Sequence, residues 1–231
     1  MDDILYGRPN SPRELDVFLE YGWFRTGLYV FTCQFIDFDH VFYRTIWLRH
    51  DLLQFVPGKT WKKLSKRNCD FRVEFSEATI TEEQEYLFRL YRNAMHFEPA
   101  KDLQQLLFDR KAPSESPFST QQVCLYDGNE LIGCSYFDTG VESVAGISAF
   151  YHPDYAVHSL GIYMIYCQIL HSKHAGFRYY YPGYFIPHYA HFDYKLQIGR
   201  NALFFYDADT KQWKPIGQYI DLPLPYAPFD R

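Results

Sequence analysis

No stretch of this 231-residue chain approaches the roughly 20 consecutive apolar residues that a membrane-crossing helix needs, so neither a span nor a membrane partner is expected. The opening residues, MDDILYGRPN, are acidic and lack the basic stretch and apolar run of a secretory leader. Cysteine is sparse: Cys33, Cys69, Cys124, Cys134 and Cys167 are odd in number and show no CxxC spacing. That argues for reduced thiols in a cytoplasm rather than a disulfide frame or a cysteine metal site. His158, His171, His174, His188 and His191 crowd one region, yet no His/Cys set has ligand spacing, so no metal or other cofactor is expected. No Ser-His-Asp or Cys-His order recommends itself either. Positive charge is also short: the formal net charge of −5 disfavours a general nucleic-acid binder.

What the chain has instead is aromatic mass. Aromatic residues make up 20% of it, with 21 Tyr and 21 Phe. Most of that must be core, because these side chains bury large areas. A surplus of tyrosine also suits a surface on which unpaired bases stack. Cation is scarce but concentrated. The segment KTWKKLSKRNCDFR carries Lys59, Lys62, Lys63, Lys66, Arg67 and Arg72 against Asp70 alone, with Trp61 among them. Such a patch can hold a phosphate backbone on an acidic molecule; a solvated helix face is the alternative.

Periodicity divides the chain into a mixed N-terminal lobe, residues 1–75, and a second unit, 76–231. The lobe holds a short helix at 12–21, strands at 29–35 and 41–48, and a helix at 59–68. The second unit opens on a capping box at Thr81-Glu82-Glu83-Gln84, followed by an apolar stripe of Leu87, Leu90, Tyr91 and Ala94. A further helix at 100–109 and a loop at 112–120 precede a hairpin of 122–126 and 131–137 around Asp127-Gly128-Asn129. A strand at 143–151 leads into a helix capped by Ser159, with a buried stripe of Leu160, Tyr163, Cys167 and Leu170. Strands at 177–184 and 202–206 follow. Helix–helix–hairpin–strand–helix–strand is an α+β order with a mixed, twisted sheet flanked by helices.

The most informative residues lie between Phe150 and Lys195. Tyr151-His152-Pro153-Asp154-Tyr155 is followed by Ser159-Leu160-Gly161 and Tyr163. Then come Tyr179-Tyr180-Tyr181, Gly183, Tyr184-Phe185-Ile186 and Tyr189-Ala190-His191-Phe192-Asp193-Tyr194-Lys195. Upstream stand Gly22-Trp23-Phe24-Arg25-Thr26-Gly27 and Lys62-Lys63-Leu64-Ser65-Lys66-Arg67-Asn68. Taken in this order, the chain resembles the arginyl-/leucyl-tRNA–protein transferase family over roughly residues 20 to 200.

The resemblance implies a GNAT-like domain and an aminoacyltransferase that uses aminoacyl-tRNA as co-substrate, with no cofactor. It would form a peptide bond between a tRNA-borne amino acid, of Arg or Leu type, and the free amine of a protein N-terminus bearing Asp or Glu, as in N-degron protein modification. It implies Tyr184 and Lys195 as catalytic residues. For donor, tRNA and acceptor it implies Arg25, Lys62, Lys63, Lys66, Arg67, Asn68, Tyr151, Ser159, Leu160, Gly161, Tyr163, Tyr181, His191 and Tyr194. The chain departs from the family in two places. Cys33 has no partner cysteines in place of a cysteine-rich element, and the Cys-Pro-Lys-Met core has become Tyr189-Ala190-His191-Phe192. It thus reads as a shortened, divergent member. Two other readings stand beside it: an acyl-CoA-dependent N-acyltransferase, and a non-catalytic tRNA- or peptide-binding relative. Against the first, His158 and Tyr163 replace the basic and small residues of an acyl-CoA loop, and a tyrosine there would crowd a pyrophosphate.

Overall fold

Ser11 and Pro12 start the first helix: the serine hydroxyl accepts the Glu14 N–H, and proline occupies a position with no N–H to satisfy. The structure, a computed structural model, describes residues 4–38, 41–94, 100–187 and 189–220; His188 and the side chain of His191 lie outside that set. Its helices are α1 (Pro12–Glu20), α2 (Lys59–Arg67), α3 (Glu82–Asn93), α4 (Leu103–Phe108) and α5 (Leu160–His174). Short strands β1 (Leu5–Gly7), β2 (Phe24–Thr26) and β3 (Tyr29–Thr32) form one small sheet, and β4 (Phe35–Phe38) pairs with β5 (Val41–Arg44).

The main sheet has eight strands: β6 (Ile46–Asp51), β7 (Arg72–Glu77), β8 (Ser119–Asp127), β9 (Glu130–Thr139), β10 (Ser143–Tyr151), β11 (Tyr179–Phe185), β12 (Leu203–Asp207) and β13 (Gln212–Pro215). Their order is β13-β12-β6-β11-β10-β9-β8-β7. All neighbours are antiparallel except β10 and β11. The expected boundary at 75/76 falls inside β7, and β6 sits between β11 and β12. Strands from both sides of that boundary thus build a single sheet. The sequence shows β7 poorly, because three of the six residues of Arg72–Glu77 are charged, as suits an edge strand.

One face of the sheet packs against α5 and α2 through Val123, Leu125, Ile132, Val144, Met164, Ile169 and Tyr180. The other carries α3 and α4 over Tyr136 and Phe150, and α1 beside Ala145 and Tyr181. Helix α3 has the expected capping box: the Thr81 hydroxyl accepts the Gln84 N–H, and the Gln84 side chain accepts the Thr81 N–H at 2.8 Å. Helix α5 is buried around most of its circumference rather than along one stripe. Ser159 does not cap it through its side chain; the residue lies in the left-handed region (φ 54°) with no capping bond. A three-ten turn, Pro153–His158, feeds the chain through this left-handed residue into α5.

Candidate functional site at the divergence of two parallel strands

Parallel pairing between β10 and β11 lasts for three residue pairs, Ser143–Tyr179 to Ala145–Tyr181, and then stops, although β10 continues to Tyr151 and β11 to Phe185. At the same point β10 gains an extra residue: its register against β9 slips between Gly146 and Ser148, leaving Ile147 as a bulge. Beyond the bulge, the His152 N–H bonds the Ile132 carbonyl at 2.9 Å. Antiparallel ladders alternate, so Ser148 and Phe150 share that orientation toward β9. Ala149 and Tyr151 therefore turn their N–H groups the other way, toward the edge that β11 has vacated.

Helix α5 begins at this edge. Its first N–H groups have no partner within the helix, and its N-terminus favours electron-rich atoms. The Tyr151 ring lies over Gly161; a side chain on that glycine would meet the ring 3.4 Å away. Tyr151 packs on Tyr91 of α3 with ring centroids 5.2 Å apart. Burial, and then the Tyr151 phenol, push Tyr91 up to about 12. Tyr194 is pushed up by burial and by the neighbouring Tyr91 and Tyr151 phenols, and Tyr180 by burial and by Tyr194. Phenols from α3, β10, β11 and the turn Ala190–Gln197 thus gather around the divergence.

Lys195 is bound to the diverged part of β11. Its Nζ donates to the Tyr184 carbonyl at 2.8 Å and lies near Gly183, where a side chain would approach it to 3.5 Å. The Phe192 and Tyr184 rings flank it. The residue as a whole is half-buried, but its amine is turned inward, and desolvation lowers its pKa from 10.5 to about 7. No carboxylate pairs with it among the described residues. Tyr184 packs on Trp47 and Phe192, and burial raises its phenol to about 12.

The remaining candidates fall into three groups. Arg67 and Asn68 come to the site: Arg67 donates to the Val157 carbonyl at 2.7 Å and reaches the Ser159 hydroxyl at 3.5 Å, and Asn68 bonds both the carbonyl and the ring of His158. These contacts fasten the end of α2 to the turn that precedes α5. Lys62, Lys63 and Lys66 stay exposed, and with Lys59 they recur at i, i+3, i+4 and i+7, so they form one basic stripe leading to that junction.

Others serve packing. Tyr163 stacks on Trp61 at 5.7 Å between α5 and α2, and Leu160 is fully buried. Tyr181 lies under α1, with its hydroxyl toward Glu20 at 3.3 Å. Arg25 does not offer a free cation to an acceptor: it is sealed in a buried ion pair with Asp138 at 2.7 Å, bonded also to Thr120, Gly27 and Leu107, with Phe118 over it. The side chain of His191 lies outside the described residues. In the sequence Tyr91 is expected only as part of an apolar stripe, and Gln168 is not singled out, leaving a trace as an amide within the apolar run of α5.

No group of three His, Cys, Asp or Glu is arranged to hold a metal among the described residues, and no described helix is long and apolar enough to cross a membrane. An open groove of about 830 Å³ lies away from the divergence, between the N-terminal ribbons and β12, and is lined by Cys33, Thr45, Trp47, Tyr206 and Lys214. Because the open volume is not where the unpaired amides and helix N-terminus converge, the divergence is the better candidate for chemistry.

Two parallel strands that part over a bulge, with the next helix starting in the gap, define a GNAT-like acyltransferase fold. FemX, 7% identical, shares this fold with a TM-score of 0.51 over 83% of this chain and 65% of its own. Residues 83–205 match the family described as arginine-tRNA-protein transferase, C terminus, and the chain belongs to that family. An aspartate/glutamate leucyltransferase of Leptospira interrogans serogroup Icterohaemorrhagiae serovar copenhageni is 31% identical over 150 residues, covering 64% of this chain and 58% of that protein. A relative of the same name from Cereibacter sphaeroides (strain ATCC 17029 / ATH 2.4.9) is 31% identical over 184 residues, covering 72% and 60%. The chain therefore spans less than two thirds of the length of these relatives.

Proposed function

We propose that this chain is a cytoplasmic aminoacyltransferase that moves an aminoacyl group of the arginyl or leucyl type from tRNA to the free amine of a protein N-terminus bearing Asp or Glu. The names of the relatives favour leucyl, and the product would be a destabilising N-terminus of the N-degron kind. No cofactor is required, because the aminoacyl ester is already activated. The observation that carries this reading is the vacated edge of β10 facing the N-terminus of α5, in a chain of this family.

The acceptor nitrogen attacks the ester carbonyl, the new C–N bond forms, and the bond to the ribose oxygen breaks. N–H groups at Ala149, Tyr151 and the start of α5 suit the carbonyl oxygen as it gains charge. Lys195, whose pKa desolvation lowers to about 7, suits the acceptor: its neutral form takes a proton from the α-ammonium and returns it to the leaving ribose oxygen. Tyr184 borders the same amine. Holding donor and acceptor in line can itself contribute on the order of 7–11 kcal/mol. An acyl-CoA donor is disfavoured by the Tyr151 ring lying over Gly161, where a pyrophosphate would approach the helix.

Incubation with charged tRNAs and peptides beginning with Asp, Glu or Arg, followed by mass spectrometry, tests this directly. A leucyl or arginyl mass is expected on the Asp and Glu peptides only. An acyl mass from CoA thioesters, or no mass at all, would replace the proposal with one of its rivals.

The basic stripe gives a separate expectation. Lys62→Glu with Lys66→Glu should weaken tRNA binding by about tenfold or more at low salt and reduce the salt slope by about two, because two phosphate contacts become repulsive. Titration of labelled tRNA over a salt series measures both, and unchanged curves would mark the stripe as a solvated face.

A further inference from the structure

A run of buried polar groups crosses the sheet behind the divergence. The Tyr180 hydroxyl donates to the Gln168 side-chain oxygen at 2.6 Å, the Gln168 amide donates to the Ser135 hydroxyl at 2.7 Å, and that hydroxyl donates to the Ser148 carbonyl at 2.8 Å. Gln168 is 0% exposed, Tyr180 1% and Ser135 2%. Its direction is fixed: a carbonyl can only accept, so Ser135 must donate to it and receive from Gln168, whose oxygen must then receive from Tyr180.

Apolar residues would fill this space without the cost of burying an amide in mid-helix. The chain of bonds instead comes from three elements, β11, α5 and β9, and ends one residue past the β10 bulge. Gly146 makes room for it: a side chain there would stand 2.5 Å from the Tyr180 hydroxyl. The Ser148 carbonyl and the Ala149 N–H belong to one trans peptide and point in opposite directions. The ladder to β9 already turns the Ala149 N–H toward the vacated edge, and the Ser135 hydroxyl adds a side-chain bond that holds the peptide in that orientation. Hydrogen bonds in series strengthen one another, so this N–H also becomes a better donor.

We infer that Tyr180, Gln168 and Ser135 are positioning residues that hold and polarise the Ser148–Ala149 peptide, so that the Ala149 N–H receives the carbonyl oxygen of the aminoacyl donor. The inference rests on the function proposed above and adds the residues that aim the Ala149 N–H at the ester. Catalysis needs such a donor pre-set, since any reorganisation during the reaction would be lost from the rate.

Ser135→Ala removes the last link with the smallest change in volume, and Ser135→Thr keeps the hydroxyl. The probe for binding is an adenosine whose 3′-aminoacyl group is attached as a stable amide, compared with the same nucleoside lacking the acyl group. Ser135→Ala should weaken the acylated probe about tenfold, leave the bare nucleoside unchanged, raise the KM for aminoacyl-tRNA correspondingly and lower kcat about tenfold; Ser135→Thr should restore all of these. Adding Gln168→Met to Ser135→Ala should cost little more, because both interrupt one chain. Equal affinity of wild type and Ser135→Ala for the acylated probe, or an unchanged kcat, would overturn the inference while transfer by the wild type kept the proposed function. Probe binding that responds to Ser135 in a chain that transfers nothing would sink the function and leave the positioning role standing. A wild type that neither binds the acylated probe nor transfers would remove both.

Discussion

Lys195→Met is expected to abolish most transfer and at the same time to make the protein more stable at neutral pH. The amine is held against the Tyr184 carbonyl with the Gly183 backbone and two aromatic rings around it, and among the described residues no carboxylate offsets its lost hydration. Its folded pKa, about 7, lies below the unfolded 10.5, so the unfolded chain binds more protons between those values. The stability cost is therefore fully present below about pH 7 and fades as pH rises toward 10.5. Methionine fills the same volume without the charge. The gain at pH 6 is on the order of 2 kcal/mol once water reaching this half-buried residue is allowed for. That corresponds to a Tm rise of about 4–8 °C, shrinking to nothing near pH 10.5.

Activity should fall by about a hundredfold or more, the scale of removing a general acid–base group. The wild-type pH–rate profile should bend near 7, and the residual rate of the variant should lose that bend. Thermal melts at pH 6, 8 and 10 with single-turnover transfer assays measure both effects. A variant that is less stable at pH 6 would show that the amine has a favourable partner after all; an undiminished rate would remove Lys195 from the chemistry.

How much of this was legible in the residues depended on whether local or distant neighbours decided each feature. The capping box of α3, the hairpin of β8 and β9, the extent of β10 and the span of α5 follow from short-range signals, and they stand where those signals lie. Strand β7 was hidden by its charges, and the division of the chain at 75/76 missed β6, whose place between β11 and β12 is settled by pairing with residues more than 100 positions away. The site divides in the same way. Tyr151, Gly161 and Tyr194 meet because the motif residues sit on elements that the divergence brings together. Tyr91 arrives from α3, and Gln168 matters only because Ser135 and Tyr180 face it, pairings that no spacing within α5 reveals. Arg25 shows the converse: a cation in a motif-like segment looks available until Asp138, 113 residues away, is seen to enclose it.

That enclosure makes Arg25→Met the substitution with the largest expected cost to folding. The guanidinium and the Asp138 carboxylate are 1% and 0% exposed, and the Thr120 hydroxyl donates to the same carboxylate oxygen at 2.7 Å. Burial already pushes the Asp138 carboxyl up, and Arg25 with Thr120 pulls it back. Without the arginine, burial acts almost unopposed, and an uncompensated charge in this position costs about 3–5 kcal/mol. For a domain whose whole stability is about 5–15 kcal/mol, that is a large fraction. The raised carboxyl sets the sign of the pH effect: folding of the variant takes up a proton, so its stability falls as pH rises through the shifted pKa and is regained on acidification. The variant should thus melt well below the wild type at pH 7, and the gap should narrow by pH 5. Adding Asp138→Asn removes the stranded charge and should recover part of the loss at pH 7. Denaturant melts of the single and double variants decide the matter. A single variant as stable as wild type at pH 7 would mean that Arg25 is free to leave Asp138, and would return it to the list of groups that could meet an acidic acceptor.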